Sequence, residues 1–238
     1  MKVGAIIFSR MSSKRLPGKA MMDISGKTLL QRVIERTKKI KLIDHFCLAT
    51  SKNQEDDIIS TYAESMGLDV FRGSLDDVAK RAFEASKKYS YDSFLRVCAD
   101  RPFLDSKLYD NMINIHKKNN FDITTNLFPR TVPPGLSGEI INVNSLETIL
   151  QLTTDTIDRE HVTRYFYQNP KNFKIYNCDI FKDKTTIDLR LVIDDERDLE
   201  RSRWIVSNLE KKKKIIDETE KIISLAKQWE INNKTIKL

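Results

Sequence analysis

A chain of 238 residues, 40% apolar and 32% charged, is long enough for one large α/β domain and too apolar for a disordered polyelectrolyte. No apolar run approaches the ~20 residues of a membrane helix, and Cys47, Cys98 and Cys178 lack the spacing of a zinc module or a disulfide framework. The net charge of +7 suits a small polyanion as well as nucleic acid, but zinc-finger spacing, RNA-recognition signatures and basic-aromatic interleaving are missing.

The opening "VGAIIF" is too short for a secretory signal and reads as a first strand. A reducing cytoplasm with buried free thiols is therefore expected. "TLLQRVIERTKK" follows as a helix with Leu29, Leu30, Val33 and Ile34 on one face. "HFCLAT" predicts a second strand, "QEDDIISTYAESMG" a helix stopped by Gly67, and "LDVF" a third strand. Ser74 and Asp77 have capping-box spacing ahead of the helix "LDDVAKRAFEASKK", and "SFLRVCA" is a fourth strand ending at Asp100. Asp105 is placed to cap the helix after it. This alternation predicts a mostly parallel sheet covered by helices on both faces.

From about residue 119 the rhythm changes. "FDITTN" and "GEIINV" predict strands flanking the Pro-rich "FPRTVPPGLSG". Helices are expected at "NSLETILQL" and "DREHVTRYFYQ", and strands at "FKIYNC" and "IDLRLVI". "DDERDLERSRWIVSNLEKKKK" then predicts a helix whose lysine run, 211–214, suits a solvated face, and "IIDETEKIISLAKQWE" a last amphipathic helix. One domain over 1–238, with a helical extension from about 210, is the economical organisation.

Ligands of open α/β sheets bind beyond the carboxyl ends of the strands. Directly after the first strand, "SRMSSKRLPGKAMM" carries Arg10, Lys14, Arg15 and Lys19 with no acid before Asp23. It has neither the G-x-G-x-x-G fingerprint nor a Walker A loop, since the early glycine of the latter would fall on Met21. Arg10, Arg15 and Lys19 can instead give charge-assisted hydrogen bonds to phosphate oxygens, with Pro17 stiffening the turn and Gly18 letting backbone approach an oxygen. Asp100 follows the fourth strand, where a salt bridge to Arg101 is the bland alternative to a metal. Asp194 and Asp195 follow the last strand; one should cap the next helix while the other faces the site. Strand-end aspartates with no clustered histidine favour a hard, oxygen-liganded ion such as Mg²⁺ over zinc. Phosphate-binding cations, Mg²⁺ and no protein nucleophile point to phosphoryl or nucleotidyl transfer.

The stretch "RMSSKRLPGKAMMDISGKTLLQRVIER" resembles the opening motif R-x-x-S-x-R-L-P-G-K of cytidylyltransferases, nearest the spore-coat-polysaccharide cytidylyltransferase-like family and more distantly the CMP-Kdo and CMP-sialic acid synthetases. "DVFRGSLDDVAKR", "LRVCADRPFLD", "PPGLSGE", "DREHVTRYFYQNP" and "LRLVIDDERDLE" match in order, so the resemblance covers residues 3 to about 200. It implies a Rossmann-like nucleotide-diphospho-sugar transferase fold, a homodimer, and transfer of CMP from CTP to an acidic sugar or related surface-glycan precursor with release of pyrophosphate. By that resemblance Arg15, Lys19 and Asp100 form the catalytic set. Arg10, Ser12, Arg15, Gly18, Lys19, Ser74 and Arg81 bind the nucleotide, Asp100 and Asp194 hold Mg²⁺, and Glu139 and His161 reach the acceptor. Two positions depart from the family: Ser137 stands where the turn usually carries Asp, and Asp194-Asp195-Glu196-Arg197-Asp198 replaces an Asp-Thr-Pro-Glu-Asp type of sequence. The alternatives are a Mg²⁺-dependent glycosyltransferase of the same general fold, weakened because Arg101 and Pro102 follow Asp100 in place of a D-x-D element, and a non-catalytic polyanion-binding partner.

Overall fold

The computed structural model describes residues 1–181, 184–211 and 219–234. Strand β1 (Val3–Phe8) leads through the cationic loop to a small antiparallel hairpin, β2 (Asp23–Ile24) and β3 (Lys27–Thr28), and then to α1 (Leu29–Thr37). There follow β4 (His45–Ser51), α2 (Asp57–Ser65), β5 (Asp69–Gly73), α3 (Val78–Lys88), β6 (Ser93–Cys98) and α4 (Ser106–Lys118). The second half adds β7 (Ile123–Thr125), β8 (Glu139–Asn142), α5 (Val143–Leu152), α6 (Thr156–Glu160), α7 (Arg164–Gln168), β9 (Ile175–Asn177), α8 (Glu196–Lys211) and α9 (Thr219–Lys234).

Among the described residues the main sheet has the order β5-β4-β1-β6-β8-β7-β9. β8 alone runs against its neighbours, so the sheet is mixed and mostly parallel, as the alternation predicts. β1 lies between two parallel partners and is almost wholly buried, which is why its sequence is continuously apolar rather than alternating. Its side chains divide between two cores. Val3, Ala5 and Ile7 pack with Leu29, Leu30, Val33 and Ile34 of α1, while Ile6 faces Ala79, Ala82 and Ala85 of α3 and Leu146 and Ile149 of α5. Gly4 leaves room for the Tyr91 ring; a Cβ there would lie 2.2 Å from a ring carbon.

The helices start where short polar side chains accept the first free N–H groups. Thr28, Asp77, Asp105 and Asn142 cap α1, α3, α4 and α5. The Ser74 hydroxyl accepts instead from the Asp77 N–H at 3.1 Å, so the predicted capping box is one turn early and Ser74 shapes the approach to the helix. "DREHVTRYFYQ" is broken at His161 into α6 and α7 rather than forming one helix. The extension is built into the domain: Ile222, Ile223 and Ala226 of α9 join the core that holds Leu199, Ile205 and Leu209 of α8. Trp229 lies beneath the guanidinium carbons of Arg197 and Arg201, at 5.2 and 5.6 Å. The lysine run beyond α8 and the expected start of the last helix at 215–218 lie outside the described residues. No described helix is long and apolar enough to cross a membrane.

"IDLRLVI" does not form a strand. Its alternation is real, with Leu191 and Ile193 fully buried. However, the Leu191 N–H donates to the Pro134 carbonyl at 2.7 Å and the Ile193 N–H to the Asp100 carbonyl at 2.9 Å. The two bonds go to different segments, so no ladder forms. Gly135 permits this crossing: its φ is +106°, and a Cβ would sit 2.4 Å from the Leu191 carbonyl oxygen.

Buried His116 lies where α4 meets the sheet, its ring nitrogens 2.9 Å from Thr124 Oγ1 and 3.0 Å from Ser93 Oγ. Burial lowers its pKa from 6.5 to about 4. The unfolded chain therefore binds the proton first as pH falls, so stability is full above pH 6.5 and declines toward pH 4, by about 3 kcal/mol. Urea unfolding at pH 7 and 5 should show about 2 kcal/mol of this loss, and His116→Gln should remove most of the difference between the two.

Candidate active site

The site opens over the carboxyl ends of β1 and β6 as a cleft of about 430 Å³. One wall is the cationic loop. The Met11 N–H donates to Asp56 Oδ1 at 2.7 Å, and Asp56, fully buried, also accepts from the N–H and hydroxyl of Ser51. Burial opposes the Asp56 charge, but these hydrogen bonds prevail and hold its pKa below the usual carboxylate range. A constant charge beside β4 thus ties down the first turn of the loop. Gly18, at φ +71°, reverses the chain, and its N–H donates to the Met11 carbonyl at 3.0 Å. The Gly18 N–H is thus spent on closing the loop.

Reversal at Gly18 starts a short 3-10 turn, Lys19–Met21, and aims Lys19 across the cleft. The Lys19 ammonium donates to the Ile193 carbonyl at 2.7 Å and lies 3.4 Å from both Asp100 Oδ2 and Asp194 Oδ1. Arg15 reaches Asp194 Oδ1 at 2.9 Å, and Arg190 reaches Asp194 Oδ2 at 3.1 Å. Asp195 is the helix cap, its Oδ1 accepting from the Asp198 N–H at 2.9 Å, which leaves Asp194 to face the site. The alternative pairing of Asp100 with Arg101 is present as a long ion pair, Arg101 Nε to Asp100 Oδ1 at 3.9 Å, although that buried oxygen accepts no hydrogen bond. Arg101 also donates, through its terminal nitrogen, to the Ser137 carbonyl.

Arg10, Arg81 and His161 also line the cleft. Arg10 pairs with Glu160 at 3.2 Å. Arg81 is buried, and burial together with the Arg10 charge lowers its pKa to about 10, which leaves it charged at neutral pH. Arg81 Nε and the Ser9 hydroxyl are buried with no hydrogen-bond partner among the described residues. Ser12 and Ser74 do not line the cleft; Ser13 does, and Ser74 is exposed on the turn before α3.

Glu139 requires a larger correction. It is 1% exposed and lies off the cleft wall, so it cannot touch an acceptor in this conformation. It accepts from Arg96 at 2.7 Å and from the Tyr167 hydroxyl at 2.8 Å. Burial opposes its ionisation, but the Arg96 charge, with Thr163, Arg101 and Tyr167, keeps its pKa below the usual value. Arg96 is the group that reaches the cleft, and sequence reasoning missed it. The signal was an arginine inside the apolar strand "SFLRVCA", costly unless paired. Ser137 is also buried, its hydroxyl accepting from Arg130 at 3.0 Å, so the family departure at this position lies behind the cleft rather than on its wall. Cys47 and Cys178 are buried thiols as expected, whereas Cys98 is half-buried and lines the cleft.

No described trio of His, Cys, Asp or Glu side chains is placed to ligate a metal. Asp100 and Asp194 nevertheless fit Mg²⁺, which commonly takes one or two carboxylates and fills its other positions with water and substrate phosphates. Asp100 Oδ1, which accepts no hydrogen bond, is the observation that supports the fit. The described cleft carries Arg10, Lys14, Arg15, Lys19, Arg81 and Arg96 against Asp100, Glu160 and Asp194, an excess of positive charge suited to a polyphosphate.

Comparison with known proteins bears on the chemistry. A family profile described as cytidylyltransferase matches residues 4–231. The spore coat polysaccharide biosynthesis protein SpsF of Bacillus subtilis is 31% identical over 201 residues, covering 82% of each chain. An uncharacterized protein of Methanocaldococcus jannaschii, MJ1063, is 35% identical over 198 residues, covering 83% of this chain and 80% of its own. The structure of a cytidylyltransferase from Leptospira borgpetersenii superposes with a TM-score of 0.87 at 30% identity, covering 98% of this chain and 96% of that one.

Proposed function

This chain belongs to the cytidylyltransferase family, and on that premise we propose that it transfers CMP from CTP to an acidic sugar or related surface-glycan precursor, releasing pyrophosphate. The observation that carries the proposal is the meeting of Lys19 and Arg15 with Asp100 and Asp194 at the mouth of the central strands. Arg10, Arg15, Lys19 and Arg81 bind the triphosphate and neutralise its charge. Asp100 and Asp194 would hold Mg²⁺, which when bound offsets charge on the phosphate oxygens. An acceptor oxygen attacks the α-phosphorus in line; the new O–P bond forms as the bond to pyrophosphate breaks. Arg96 and His161 line the cleft as well and are assigned to the acceptor, with Arg96 suited to a negatively charged one. A spore coat polysaccharide protein among the relatives supports the link to glycan assembly. A cytoplasmic homodimer completes the proposal, and sedimentation equilibrium tests the dimer.

The test is a thermal-shift panel of ATP, GTP, UTP and CTP with Mg²⁺, followed by pyrophosphate release with acidic sugars. A ligand at a hundred times its Kd adds about 2.7 kcal/mol, so CTP should raise the melting temperature by about 5–10 °C and the other nucleotides less. Equal shifts would reduce the site to a generic polyanion binder. Release of a nucleoside diphosphate instead of pyrophosphate would indicate a glycosyltransferase.

A further inference from the structure

The position of Lys19 bears on how a metal enters. An ammonium has three donors. Those of Lys19 face the Ile193 carbonyl and the carboxylates of Asp100 and Asp194, at 2.7, 3.4 and 3.4 Å. Lys19 thus bridges the two groups that would ligate a divalent cation. Asp194 is further enclosed by Arg15 and Arg190. Arg190 is anchored, since buried Asp198 also accepts from it at 2.9 Å and from the Asp194 N–H at 3.0 Å. Arg15 is not: its side chain is 65% exposed. A divalent ion placed against the two carboxylates would meet the ammonium at close range and be repelled. A triphosphate supplies the competing acceptors that would draw Lys19 and Arg15 off the carboxylates.

We propose that Lys19 is a resident counter-ion for Asp100 and Asp194, so that the site excludes divalent cations until a nucleoside triphosphate takes up the lysine. This deepens the proposed function and rests on it for the identity of the nucleotide and for Asp100 and Asp194 as the metal's carboxylates. By linkage, nucleotide and metal must each raise the other's affinity by the same factor.

The experiment measures Mn²⁺ binding without nucleotide, from the loss of the free-ion EPR signal. Lys19→Met should bind Mn²⁺ at least tenfold more tightly than the wild type. Asp100→Asn added to Lys19→Met should return binding to the wild-type level, whereas Lys19→Arg, which keeps the charge, should retain exclusion. Wild-type binding within twofold of Lys19→Met overturns the proposal, as does tight binding by Lys19→Met that survives Asp100→Asn. Should Lys19→Met not fold, the wild type still decides: tight nucleotide-free Mn²⁺ overturns the proposal. Weak binding that an α,β-methylene CTP analogue strengthens, with a water-proton relaxation enhancement above that of the Mn²⁺–analogue complex, supports it. A gain of nucleotide-free binding in Lys19→Met with no response of the wild type to the analogue would support exclusion by Lys19 and count against the CTP reading.

Discussion

Asp100→Ala is expected to lower kcat by about 10³-fold or more while leaving the protein folded and no less stable. The two halves of this expectation have one physical origin. Asp100 Oδ1 is buried without a hydrogen-bond partner, and its carboxylate gains only a 3.4 Å approach from Lys19 and a 3.9 Å one from Arg101. Such a group contributes little to the fold and carries a desolvation cost, a pattern kept where chemistry needs it. Asp194 differs, because Arg15, Lys19 and Arg190 all pair with it, so its removal should disturb both the loop and the segment before α8. Steady-state kinetics with CTP and an acceptor, beside circular dichroism and thermal melting of the same preparation, checks the prediction. Near-native turnover in Asp100→Ala would remove Asp100 from the reaction and with it the metal assignment.

Glu139→Ala is expected to destabilise the fold by about 3–5 kcal/mol, as removal of one partner of a buried ion pair does. The loss reflects what remains: Arg96, whose Nε is already buried without a partner, would keep its charge with its nearest carboxylate gone. Tyr167 would also lose one of its two hydroxyl partners, keeping Thr125 Oγ1 at 2.9 Å. Glu139→Gln preserves shape and removes the charge, and should fall between wild type and Glu139→Ala in urea unfolding. The pH dependence separates this pair from His116. The folded pKa of Glu139 lies below its ordinary value of 4.5, so its contribution is present above pH 4.5 and is lost as pH falls through the lower folded value. His116 acts in a higher window, between 6.5 and about 4. Wild type and Glu139→Gln should therefore lose stability in parallel from pH 7 to 5 and differ in slope below about 4.5. Parallel curves throughout would mean that folding leaves the Glu139 pKa unshifted. A change in the KM of the acceptor in Glu139→Gln, with kcat less affected, would show that the pair also holds Arg96 in place.

Fold and site were legible in the sequence to different depths. Apolar runs alternating with amphipathic segments placed β1, β4, β5 and β6 and their helices, because local periodicity and capping residues such as Asp105 act within a few positions. The convergence of Lys19, Asp100 and Asp194 was legible because the loop after β1 and the chain after two apolar runs must, in a parallel sheet, face one common edge. Arg10, Arg15, Arg81 and His161 likewise reach or border that edge. Ser12 and Ser74 lie off the cleft wall, and a short polar residue in a turn serves backbone N–H groups as readily as ligands, as the Ser74 hydroxyl does for Asp77.

By itself the sequence determined the parallel half of the sheet, the cationic loop after its central strand, and the acidic residues opposite, since these follow from spacing along the chain. Only the tertiary structure decided which groups share charge. Arg96 meets Glu139 through the antiparallel pairing of β6 with β8, across forty-three positions. Arg190 and Ile193 reach the site through an extended segment that bonds to two separate loops and so has the pattern of a strand without its ladder. The physical reason is that burial and Coulomb energy depend on distance in space, whereas periodicity and capping depend on distance along the chain. Lys19 combines both: its place in the loop is local, and its capture between Asp100 and Asp194 is not.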